Sequence, residues 1–97
     1  MAKAWLIAVM VETAGQAEPQ RQFFAVGHDD RARAEWKAID RAMLMGPIAT
    51  SPVGGLEPVQ AICAILGTTV SHQALLPGEV RPLGPRWPRR WVSSQTD

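Results

Sequence analysis

Residues 4–12 read Ala-Trp-Leu-Ile-Ala-Val-Met-Val-Glu, apolar at every position but the last. A run this short, rich in β-branched and aromatic side chains and followed by a polar segment with Gly15 and Pro19, predicts a strand. Residues 21–27, Arg-Gln-Phe-Phe-Ala-Val-Gly, are similar in length and follow that turn region, so the two runs are expected to form an antiparallel hairpin with a long connection.

The period then changes. Ala32, Trp36, Ile39 and Met43 recur at intervals of four, three and four, the stripe of an amphipathic helix expected over residues 30–45 with this face toward the core. Asp29 and Asp30 stand where a side-chain oxygen can accept from an orphan amide and a carboxylate meets the positive end of the helix dipole. Gly46-Pro47 is the matching stop signal.

Three prolines and three glycines between residues 46 and 58 exclude a long regular element, so this stretch is a returning loop. Residues 59–66, Val-Gln-Ala-Ile-Cys-Ala-Ile-Leu, fit a buried strand or a short buried helix, and their length favours the strand. Thr68 or Thr69 can cap a short helix running to about Leu75, and Pro77-Gly78 is the central pair of a type II turn. Residues 79–81 offer a short edge strand that Pro82 should stop. The predicted class is α+β: a small, single-layer, mainly antiparallel sheet in the order ββαβα with a short fourth strand, helices on one face, and an irregular C-terminal tail. Residues 1–83 read as one domain and residues 84–97 as a Pro/Arg/Trp-rich tail.

Side chains alternate across a strand, so Trp5, Ile7, Val9 and Val11 share one side of the first strand while Ala4, Leu6, Ala8 and Met10 share the other. Neither side is polar. One helical layer covers only one set, and leaving the other in water forgoes roughly 1.5 to 3 kcal/mol for each large side chain that burial would have hidden. A cover is therefore expected over Leu6, Ala8 and Met10: a second copy of the chain, another protein, or the tail with Trp87 and Trp91.

Charge is small overall, +1, but uneven: four arginines against one aspartate leave residues 81–97 at +3 and the remainder at −2. Arg86, Trp87, Arg89, Arg90 and Trp91 interleave guanidinium groups with indoles, a mixture suited to packing on the body, to a protein interface, or to phosphates and unpaired bases. Arg33, Lys37 and Arg41 form a like-charged ridge along the first helix, either a solvated face or an anion contact.

Candidate chemistry is thin. His28, Asp29 and Asp30 at a strand-to-helix junction suggest a base or a cation site only if a further polar group and a concave pocket join them, and the helix start accounts for the aspartates. His72 falls on the short helix, where a local hydrogen bond is its ordinary use. The single cysteine, Cys63, sits in an apolar run that keeps its thiol protonated, rules out an internal disulfide and fits a reducing, cytoplasmic compartment. Gly54-Gly55 lacks the companions of a phosphate loop, and no run approaches a membrane helix. Lys3 and the apolar run after it imitate a leader peptide, but the run is short and Glu12 follows without a cleavage pattern.

The sequence thus points to a non-enzymatic, cytoplasmic protein-interaction domain with no cofactor or metal, self-associating as a homodimer through an apolar sheet face or edge, or binding another protein. The alternative is an accessory protein that binds single-stranded nucleic acid or another polyanion through the tail and the helix ridge.

Overall fold

An apolar strand with no polar side is stable only in the middle of a sheet covered on both faces, and the first strand takes that place. The computed structural model describes residues 3–89. Its elements are β1 (Trp5–Val11), β2 (Gln20–Val26), α1 (Arg31–Ala42), β3 (Val59–Ala64), α2 (Gly67–His72) and β4 (Val80–Gly84). The four strands form one antiparallel sheet in the order β3-β1-β2-β4. β1 pairs with β2 from Trp5 opposite Val26 to Val11 opposite Gln20. On its other side it pairs with β3. The expected α+β class and the fourth strand are present, and the strand expected over residues 59–66 is present over Val59–Ala64.

α1 starts where the aspartates require it. The Asp30 carboxylate accepts from the Arg33 amide at 3.0 Å, and the helix runs to Ala42 before residues 43–45 leave it as a turn. Its orientation corrects the sequence reading. The buried stripe is Ala34, Ala38 and Ala42, each 0% exposed, packed on Ile7, Val9, Val11, Phe24 and Val26. Of the expected stripe, Ala32, Trp36 and Met43 are exposed and Ile39 is half-buried. The sheet supplies the large side chains on this face, so small residues on the helix let its backbone come close.

The opposite face carries Leu6, Ala8, Phe23 and Ala25, and α2 lies there, not beside α1. This corrects the expectation of both helices on one face. α2 is shorter than expected and begins without a side-chain cap, so neither Thr68 nor Thr69 has that role. It ends in a Schellman motif: the Ala74 amide donates to the Ser71 carbonyl at 3.2 Å and the Leu75 amide to the Val70 carbonyl at 3.0 Å. The accompanying apolar contact, Val70 with Leu75, is what seats the helix over Leu6 and Ala25. The Pro77-Gly78 turn is present, with Gly78 at φ 82° and the Glu79 amide donating to the Leu76 carbonyl.

Pro82 does not stop β4. It lies opposite Phe24, and the strand continues to Gly84 with a bulge between these positions. β4 is an edge strand, where a missing donor on the solvent side costs nothing. The loop between α1 and β3 stays close to β1: Glu12 donates to the Pro47 carbonyl, Ala49 to the Met10 carbonyl, and Met10 to the Pro58 carbonyl. Ile48 thereby bridges to Val11 on the side of β1 that faces β3. No helix among the described residues is long and apolar enough to cross a membrane.

Candidate functional site

The described part of the tail ends at Arg89, and Trp87 within it touches the body. Gly84 sits opposite Phe23 at φ 87°, turning the chain out of β4, and the Trp87 ring meets Phe23 edge-on with centroids 5.6 Å apart at 81°. Arg21 stands over the same Phe23 ring at 5.3 Å. Trp87 therefore packs on the chain's own sheet and keeps 43% of its surface exposed, while Arg86 and Arg89 are exposed. Arg90 and Trp91 lie outside the described residues.

Arg33, Lys37 and Arg41 lie on α1 and so above the other face of the sheet. Arg33 stays near the Asp30 cap, at 4.0 Å. Lys37 and Arg41 line a groove with Asp40, Leu44 and Val80 on the β4 side of the helix. Among the described residues, this ridge and Trp87 lie over opposite faces of the sheet.

Leu6, Ala8 and Met10, expected to await a partner, are 0%, 1% and 4% exposed within a single chain. The expectation that this face needs a cover was sound physically; the cover is the chain itself. Ile65, Val70 and Leu75 pack at the Leu6 end, and Leu83 joins them. Arg21 on β2 reaches over β1 to Gln60 on β3, its Nη2 donating to Oε1 at 3.1 Å. Met10 lies opposite Arg21 and Ala8 opposite Gln60, so this span runs across both of them. The aliphatic stem of arginine can shield apolar surface in this way. The span leaves Arg21 Nε buried without a hydrogen-bond partner.

The strand-to-helix junction is concave, as an active centre there requires, and Lys3 lines it together with His28, Asp29, Val70, Leu75 and Pro77. The Asp30 amide donates to His28 Nδ1 at 2.9 Å. Asp29 Oδ1 lies 3.2 Å from the same nitrogen. No group of three His, Cys, Asp or Glu side chains among the described residues is placed to hold a metal ion. Burial pushes the Cys63 thiol up from its ordinary value, away from a reactive thiolate.

Two surface features were not placed by the sequence, which named a sheet edge as an interface without saying which strand supplies it. The first is the outer edge of β3: it is a terminal strand of the sheet, and among the described residues nothing pairs with its far side. Its residues Val-Gln-Ala-Ile-Cys-Ala carry no charge and no proline. The second is the outward side of α1 and the turn after it, where Trp36 is 67% exposed, Met43 59% and Leu44 79%. Apolar residues at helical spacing were the only available signal for it, and they were assigned to the core.

No family model matches the chain, nor does any curated protein or solved structure.

Proposed function

We propose that this chain is a non-enzymatic protein-interaction domain, acting in the cytoplasm, that self-associates by pairing the β3 edges of two copies. The observation that carries this reading is the contrast between the two sheet edges. β4 is blunted by Pro82 and by a bulge at Leu83, and Arg81 on it is tied to Glu79 and to the Gln73 carbonyl. β3 has none of these protections beyond one bulge, at Ile62. Met10 pairs with Pro58, so residue 60 points its amide at β1, and Val59 and Ala61 point theirs outward. Unpaired, uncharged strand edges recruit another strand. A two-fold axis at this edge gives antiparallel pairing, the only kind this sheet uses.

The measurement is sedimentation of the full chain over a micromolar dilution series. The wild type is expected to run as a dimer. Ala64→Lys, at an exposed edge position, is expected to run as a monomer with its thermal transition retained in dilute solution. A wild type that stays monomeric at the highest concentration ends this reading.

A further inference from the structure

We infer that the cleft at the strand-to-helix junction is a binding site for a small zwitterion with an apolar body, of which an α-amino acid with an aromatic or branched side chain is the simplest. No residue of β3 lines it, so the site stands whether or not that edge pairs. The cavity measures about 590 Å³, within the range of small-molecule pockets.

Its walls are of two kinds. Val70, Leu75 and Pro77 supply apolar surface, while Lys3 and Asp29 supply one charge of each sign, with the His28 imidazole beside Asp29. The apolar wall sets the body of the ligand. Pro77 is exposed and Val70 half-buried, and only an apolar group gains by covering them.

The charges set its poles. Lys3 and Asp29 form no ion pair with each other, and Lys3 has no hydrogen bond or ion pair among the described residues. The Asp29 carboxylate meets His28 through Oδ1 alone, and its other oxygen has no partner among those residues. A simple anion in the cleft gains Lys3 and faces Asp29, and a simple cation gains Asp29 and faces Lys3. A molecule with both an ammonium and a carboxylate meets each with the opposite sign. Its apolar body is then left for Val70, Leu75 and Pro77.

Most of this frame is set before any ligand arrives. The Trp5 indole donates to the Asp29 carbonyl at 3.1 Å and the Asp30 amide to His28 Nδ1 at 2.9 Å, which fixes backbone and imidazole on this side. The Gly27 amide donates to the Glu79 carbonyl at 2.8 Å. A Cβ added at Gly27 would collide with the Leu76 carbonyl oxygen, so glycine is what lets the two backbones approach. The Schellman turn holds Val70 against Leu75. A rigid lining lowers the ordering cost of binding. Lys3 is the adaptable part, a point charge on a flexible stem.

The test is calorimetric titration of the full chain with L-phenylalanine and L-leucine, with hydrocinnamate, which lacks the ammonium, and with phenethylamine, which lacks the carboxylate. L-Phenylalanine is expected to bind roughly tenfold or more tighter than either of its analogues. Asp29→Asn is expected to weaken L-phenylalanine by roughly tenfold while hydrocinnamate binds no worse, because the carboxylate it faced is gone. Lys3→Gln is expected to give the mirror result, with L-phenylalanine weakened and phenethylamine unharmed. Both positions are exposed and Asp30 keeps the helix cap, so the thermal transition should be retained in each variant. No saturable binding of either amino acid up to about 10 mM overturns the inference. Equal affinity for L-phenylalanine and its two analogues overturns it as well, as does a folded variant that weakens all of them alike.

Discussion

On the face that carries Ile7, Val9 and Val11, one twelve-residue helix lays three alanines against large side chains rising from the sheet. The face that carries Leu6, Ala8 and Met10 is closed in pieces: a six-residue helix at one end, the edge of Trp87 over Phe23, and the Arg21–Gln60 span between. The first cover is a single regular element whose packing repeats every turn. The second is assembled from parts that are each weak and only jointly sufficient. The difference teaches that an apolar strand face in a small domain does not by itself announce a partner, because a long polar side chain and one aromatic ring complete a cover that no helix provides.

Truncation on each side tests how far that asymmetry extends to energy. Phe24→Ala removes a ring that is 0% exposed beneath α1, and the expected loss of stability is about 3–5 kcal/mol, enough to leave so small a domain largely unfolded. Trp87→Ala removes a half-exposed ring whose contact is one edge-on pair, and the expected loss is about 1–2 kcal/mol with folding retained. Urea unfolding followed by circular dichroism measures both. Comparable losses would show that the patchwork face is as cooperative as the helical one.

Sequence patterning exposed the regular face more fully than the patched one. The strands, the Asp30 cap and the Pro77-Gly78 turn depend on neighbours within a few residues, and local chemistry locates each of them, although not the ends of β3 and β4. The orientation of α1 does not. Ala34, Ala38 and Ala42 recur at a helical spacing just as Ala32, Trp36, Ile39 and Met43 do, and only the bulk of the opposing Ile7, Val9 and Phe24 decides which stripe turns inward. Arg21 as a cover was hidden by its charge, since its aliphatic stem contributes the shielding. The candidate interface was out of reach for a further reason. That β3 lies on the outside follows from the strand order 3-1-2-4, a product of pairings between residues some fifty positions apart that no local pattern encodes.

A milder substitution probes the joint that holds the patched face. Ala74 is the one non-glycine residue at positive φ among those described, at 53°, in the position of the Schellman motif that usually holds glycine. A left-handed residue with a Cβ is strained by roughly 1–2 kcal/mol, and glycine regains part of that against its greater freedom when unfolded. Ala74→Gly is therefore expected to stabilise the chain by about 0.5–1 kcal/mol, read as a higher urea midpoint at constant slope. A lower midpoint would mean that Val70 and Leu75 are held over Leu6 by something other than this turn.

The smallest expected effect lies at the far edge of the same face, where pH separates a polar tie from apolar packing. The Arg81 side chain donates to Glu79 Oε2 at 2.7 Å, and the Leu76 amide donates to Oε1 at 2.9 Å. The arginine bond first, and the amide second, hold the Glu79 carboxyl below its ordinary value in the folded chain. A carboxyl so lowered stabilises the fold fully above its unfolded value, about 4.3, and loses that contribution as pH falls through the lower folded value. Glu79→Gln should therefore be less stable than the wild type near neutral pH, with the gap closing below about pH 4. Because the pair is solvated, added salt should shrink the gap at neutral pH as well. Paired urea titrations at neutral and acid pH measure it. A gap that persists unchanged into acid would assign the role of Glu79 to the neutral hydrogen bond with Leu76, and the β4 edge would then be held by backbone geometry instead of charge.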